Sequence, residues 1–141
     1  KFAYVILSSA DPQQHRQWWG TDRIQDLALA TNEGLIKSKP ELVKGVVSAT
    51  RQALAFIGTE SPEKIVDVVL AHPKGREWWG SLDRDVILGS TRTAKALLGN
   101  GCLSRSSFTK LMDLLVEYQV AKKRISFDEY ADTTWAGTCQ D

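Results

Sequence analysis

The chain has 141 residues, 43% of them hydrophobic and 25% charged, the balance of one ordinary soluble globular domain or part of a larger one. Eighteen Lys and Arg stand against seventeen Asp and Glu, a net charge of +1, which argues against nucleic acid as a partner. The densest basic run, Lys122-Lys123-Arg124, reads as the solvated end of a helix. No apolar run approaches the roughly 20 residues a membrane helix needs. A small molecule or a protein remains as the partner.

Phe2-Ala3-Tyr4-Val5-Ile6-Leu7 is β-branched and aromatic, and the turn signal Ser8-Ser9-Ala10-Asp11-Pro12 follows, so the spacing predicts a short buried strand. The strand begins at residue two, with no polar lead-in or signal segment. That pattern is expected of the C-terminal part of a longer chain. Gln13 to Arg23 reads as a loop or broken helical turn, and Ile24 to Ala30 as a second strand ended by Thr31-Asn32.

From there the pattern is helical. Ser38-Lys39-Pro40-Glu41 places a capping hydroxyl three residues before a Glu, with Pro in the first turn. Leu42, Val43, Val46, Val47, Ala53, Leu54 and Ile57 follow at helical spacing up to Gly58. Ser61-Pro62-Glu63 opens a second helix that closes before Pro73. A third is expected after Ser81, carrying Val86, Ile87, Ala94, Leu97 and Leu98, and a fourth from Ser104 through Phe108, Leu111, Met112, Leu115 and Tyr118. Phe127, Tyr130 and Trp135 make the tail a polar segment with aromatic anchors that packs on the body. Two short strands and about four helices give an α/β class dominated by helix, and a sheet under so many helices ordinarily has more strands.

Catalytic patterns are missing. The chain has no G-x-S-x-G elbow and no H-E-x-x-H, and His15 and His72 stand far apart without Cys or carboxylate at ligand spacing. Gly89-Ser90-Thr91-Arg92-Thr93-Ala94-Lys95-Ala96 resembles a phosphate loop at first sight. It has Ala94 for the second glycine, however, and Ala96 where a metal-binding hydroxyl belongs. Asp83/Asp85 and Asp128/Glu129 diverge on a helix and read as solvated or N-terminal helix charges. No catalytic residue, metal or cofactor is therefore expected. Cys102 and Cys139 are open to two readings, one disulfide or two free thiols. Arg16-Gln17-Trp18-Trp19-Gly20 recurs as Arg76-Glu77-Trp78-Trp79-Gly80, too few copies for a repeat architecture. Trp78 and Trp79 lie between expected helices and read as core or surface packing.

The stretch Ala30-Thr31-Asn32-Glu33-Gly34-Leu35-Ile36-Lys37-Ser38-Lys39-Pro40-Glu41-Leu42-Val43-Lys44 resembles the C-terminal half of ABC-transporter solute-binding proteins. The branch is the nitrate/sulfonate/taurine group, which is similar to the thiamine-pyrimidine-precursor proteins. Three further pieces extend the resemblance: Ala49 to Ile57 resembles the family's long helix, Ser61-Pro62-Glu63-Lys64-Ile65-Val66 its next helix start, and Phe127-Asp128-Glu129-Tyr130-Ala131-Asp132-Thr133-Thr134-Trp135 its closing segment. Trp19-Gly20 followed by Asp22 and a strand resembles the crossing between lobes. Lys39 departs from the Asn that the family prefers.

The resemblance implies a type II periplasmic-binding-protein-like α/β fragment, with residues 1–30 ending the second lobe and crossing over and 31–141 forming the helical layer of the first. It implies an extracytoplasmic, non-catalytic protein that holds a small organic or inorganic ligand in a cleft and delivers it to a membrane permease. The cleft candidates are Trp18 and Trp19 as apolar walls, Thr21 as a hydroxyl and Asp22 as an acceptor. Open sheet edges in such a fragment would invite homodimerisation. The two alternatives are a cofactor-precursor synthase on the same scaffold and a helical interaction module whose exposed tryptophans dock a protein.

Overall fold

Asp11 opens the first helix among the described residues. In the computed structural model, which describes residues 11–20 and 28–139, its carboxylate accepts from Gln13 N at 2.8 Å and Gln14 N at 3.2 Å and so caps α1 (Pro12–Trp19). The Asp-Pro pair expected to mark a turn is thus a helix start. Gly20, at φ 69°, closes the helix in the left-handed conformation, its N–H on Arg16 O.

Among the described residues seven helices follow: α2 (Glu33–Ser38), α3 (Pro40–Thr59), α4 (Pro62–Ala71), α5 (Pro73–Trp79), α6 (Arg84–Leu97), α7 (Arg105–Glu117) and α8 (Phe127–Tyr130). Asn32, expected to end a strand, instead caps α2 by accepting from Leu35 N at 2.9 Å. The expected long helix, and those opening at Ser61, after Ser81 and at Ser104, are present as α3, α4, α6 and α7. Ser38 does not cap α3. Its hydroxyl donates to Gly34 O inside α2 at 2.6 Å, and the backbone breaks at Lys39 instead.

The α/β expectation of a type II periplasmic-binding-like fold is corrected by this architecture. Helix accounts for 67% of the structure and strand for 2%, with no sheet among the described residues. The sole bridge there is an isolated parallel pair, Leu103 with Thr138. The expected strand at Phe2–Leu7 and most of that at Ile24–Ala30 lie outside the described residues, while Ala28 to Ala30 are exposed and irregular. A strand needs a neighbour to receive its backbone groups, and Ala28 to Ala30 have no ladder.

The chain divides into two units, residues 1–48 with 102–141 and residues 49–101. In the first, Phe108 and Met112 of α7 and Phe127 of α8 form the buried core, with Leu103, Leu115, Val116, Ala121, Ile125 and Ala131 packed around them. Phe108 meets Phe127 edge-on at 5.7 Å and stacks on Tyr130 at 4.7 Å, so two of the tail's expected aromatic anchors, Phe127 and Tyr130, hold it to the body. Cys102 and Cys139 are joined in a disulfide with Cα atoms 5.2 Å apart. Beside it, Leu103 N donates to Gly137 O and Cys139 N to Leu103 O. In the second unit α4 packs against α5 and α6, burying Ile65, Val66 and Ile87. Complete burial of a side chain such as Val66 contributes roughly 1.5–3 kcal/mol. Arg84–Asp67 and Arg92–Glu63 tie α6 to α4 on the surface. Among the described residues no helix is long and apolar enough to cross a membrane.

Candidate functional site

The expected ligand wall begins on α1. Trp18 is 64% exposed and Trp19 is half-buried, both in the last turn before Gly20. Thr21 and Asp22, the polar half of the expected site, lie outside the described residues, as does Arg23. The structure therefore places one half of the candidate constellation and leaves the other undescribed.

Two features around this turn escaped sequence reasoning. His15, in the stretch expected as a loop or broken helical turn, is buried within α1. Lys110 of α7 reaches the turn as well: a Cβ built on Gly20 would meet its Nζ at 3.5 Å and its Cε at 3.7 Å. An ammonium beside the last turn of a helix opposes the negative end of the helix dipole. It adds a cation to the end of the helix that carries the Trp18 and Trp19 indoles. No sequence signal links Lys110 to Gly20, because the contact joins residues 90 positions apart.

The second Trp-Trp-Gly copy is helical like the first but ends differently, with Gly80 right-handed at φ −65° where Gly20 is left-handed. Pro73 starts α5, His72 Nδ1 accepts from Lys74 N at 3.2 Å, and Gly80 N closes on Arg76 O at 2.9 Å, matching the distance from Gly20 N to Arg16 O. Trp78 and Trp79 thus lie within a helix, not between helices, and both are exposed.

The carboxylates singled out in the sequence have local structural duties. Asp83 caps α6 through Asp85 N at 2.7 Å. Glu129 and Ser126 form the reciprocal capping box of α8. Asp128 receives both guanidinium nitrogens of Arg105, at 2.7 and 3.0 Å, and the same guanidinium lies 4.4 Å over the Phe127 ring. The hydrogen bond and charge of Arg105 hold the Asp128 carboxyl below its ordinary range. Asp11 is lowered too, chiefly by the backbone N–H of Gln14 and then that of Gln13. The segment resembling a phosphate loop is interior α6, where Thr91 Oγ1 donates to Ile87 O. Among the described residues no three His, Cys, Asp or Glu side chains gather as a metal site.

In comparisons with known proteins, the chain matches no family model, no curated protein and no solved structure.

Proposed function

We propose that the chain serves an ABC importer outside the cytoplasm as a ligand-binding component, taking up a small organic or inorganic ligand without catalysis and passing it to a membrane permease. The observation that carries this reading is the order of helices along the resembling stretch: a short helix at Glu33–Ser38, a break at Lys39 and a 20-residue helix from Pro40, then a new start at Pro62. The Cys102–Cys139 disulfide suits an oxidising compartment. The proposal concerns the role and not a two-lobed sheet architecture, which the described residues do not form. Trp18 and Trp19, with Lys110 nearby, supply the binding region on α1.

Titration of the oxidised protein with taurine, other sulfonates, nitrate and pyrimidine-precursor analogues tests the reading through tryptophan fluorescence. A saturable change is expected with one member of the panel, lost in Trp18→Phe and kept in Trp78→Phe. A flat response to every ligand, or one insensitive to Trp18, would sink it. The exposure of Trp18 and Trp78 favours a second reading, a helical interaction module. That reading predicts no small-molecule response and tryptophan-dependent protein association instead.

A further inference from the structure

The two Arg-x-Trp-Trp-Gly copies are both helical, but they end differently, Gly20 left-handed at φ 69° and Gly80 right-handed at φ −65°, and they differ in surface. Sixty positions separate them, and at that offset the first copy has Asp22 and Asp26 where the second has Leu82 and Val86. The second copy therefore continues as an apolar segment: Trp78, Trp79, Leu82 and Val86 are all exposed, Trp78 at 68%. Leu82 N donates to Trp79 O, so a tight turn joins α5 to the cap of α6 within this segment. Large exposed apolar side chains this close together mark a surface that another molecule covers.

The charges around the segment indicate which molecule. Lys74 pairs with Glu77 at 2.7 Å, and Arg84 pairs with Asp67 at 2.7 Å, so these four largely neutralise one another. The charge that remains is carried by exposed Arg76, whose Nε also donates to Leu70 O at 3.2 Å, before the tryptophans, and by exposed Asp83 and Asp85 after Leu82. A partner of one charge would match only one end. A second copy laid antiparallel matches both, because a two-fold axis through the apolar middle sets each Arg76 against the other chain's Asp83 and Asp85.

We infer that the segment from Trp78 to Val86 is a self-complementary interface through which two copies of this chain associate about a two-fold axis. This interface uses no sheet edge and is independent of the ligand reading. Trp78 is its central anchor, since exposed tryptophans that become buried dominate such interfaces. The Arg76 and Asp85 contacts fix its orientation.

Sedimentation velocity on the full oxidised chain across a concentration series tests this, with far-UV circular dichroism confirming that each variant is folded. The expected result is a reversible monomer–dimer equilibrium in which Trp78→Ser weakens association about tenfold or more, while Trp18→Ser leaves it unchanged. Arg76→Glu and Asp85→Arg each weaken self-association when alone. An equimolar mixture of those two variants forms a heterodimer, because the acidic substitution at position 76 of one chain meets the basic substitution at position 85 of the other, while Arg76 of the second chain still meets Asp83 and Asp85 of the first. Asp83 is left intact so that the α6 cap survives. A chain monomeric at every concentration, an equal effect of Trp18→Ser, or failure of the two charge variants to pair would each overturn the interface.

Discussion

Removing the disulfide is the perturbation whose magnitude follows most directly from the structure. Cys102 and Cys139 are 37 residues apart and lie in the same unit, so the closed loop contains α7, α8 and the whole Phe108–Met112–Phe127 core. Closing a loop of that length removes about 13 cal/mol/K of entropy from the unfolded chain, or about 3.8 kcal/mol at 25 °C. In the folded state the two backbone hydrogen bonds between Leu103 and residues 137 and 139 already hold the same ends together. The double variant Cys102→Ser/Cys139→Ser should therefore keep the fold and lose stability mainly through its unfolded state. Urea unfolding followed by circular dichroism checks this: with a slope of about 2 kcal/mol/M, the midpoint should fall by about 2 M. A reductant should lower the parent to the level of the double variant and leave the variant itself unmoved. A loss below about 1 kcal/mol would refute the entropic account, and so would a reductant effect on the variant.

Two further outcomes follow from local geometry. A Cβ at Gly75 would fall well inside van der Waals contact of the Val69 carbonyl, 2.8 Å from its carbon, so Gly75→Ala should force α5 off the end of α4. A loss of about 2 kcal/mol or more is expected in denaturant melts of this variant, whereas Gly89→Ala, with open space at its Cβ, should be neutral or slightly stabilising. Because Arg105 lowers the Asp128 pKa in the folded state, the stabilising contribution of that pair is present above the ordinary carboxyl range and is lost as pH falls through the lowered value. In a carboxyl-detected NMR titration, Asp128 should titrate below the ordinary carboxyl range and move up in Arg105→Gln. An unmoved Asp128 in that variant would show that Arg105 is not the cause.

How much of this was legible in the sequence depended on how local the deciding interaction is. Helix starts at Pro62 and Arg105 are set by Ser61 and Ser104, whose hydroxyls accept from N–H groups three residues on, at 3.2 and 3.1 Å. Such a bond can be read from spacing alone. The same local chemistry also misleads, because Asp11-Pro12 is equally good as a turn and as a helix cap, and only the continuing backbone of α1 separates the two. Ser38 likewise had two backbone partners within reach and took the one behind it.

The candidate site was only half legible. Trp18 and Trp19 stand out by residue type, but Lys110 beside Gly20 and the burial of His15 come from packing between distant segments.

By itself, then, the sequence determined the helix-rich character from Glu33 onward, the caps, and the aromatic anchors of the tail, since each is a relation among residues a turn or two apart. Tertiary structure alone decided that Cys102 meets Cys139, that Phe108 lies between Phe127 and Tyr130, and that no sheet forms among the described residues. Those outcomes require groups far apart in the chain to come within bonding distance. An apolar stretch such as Leu27–Ala30 records a tendency to be covered but not which partner covers it.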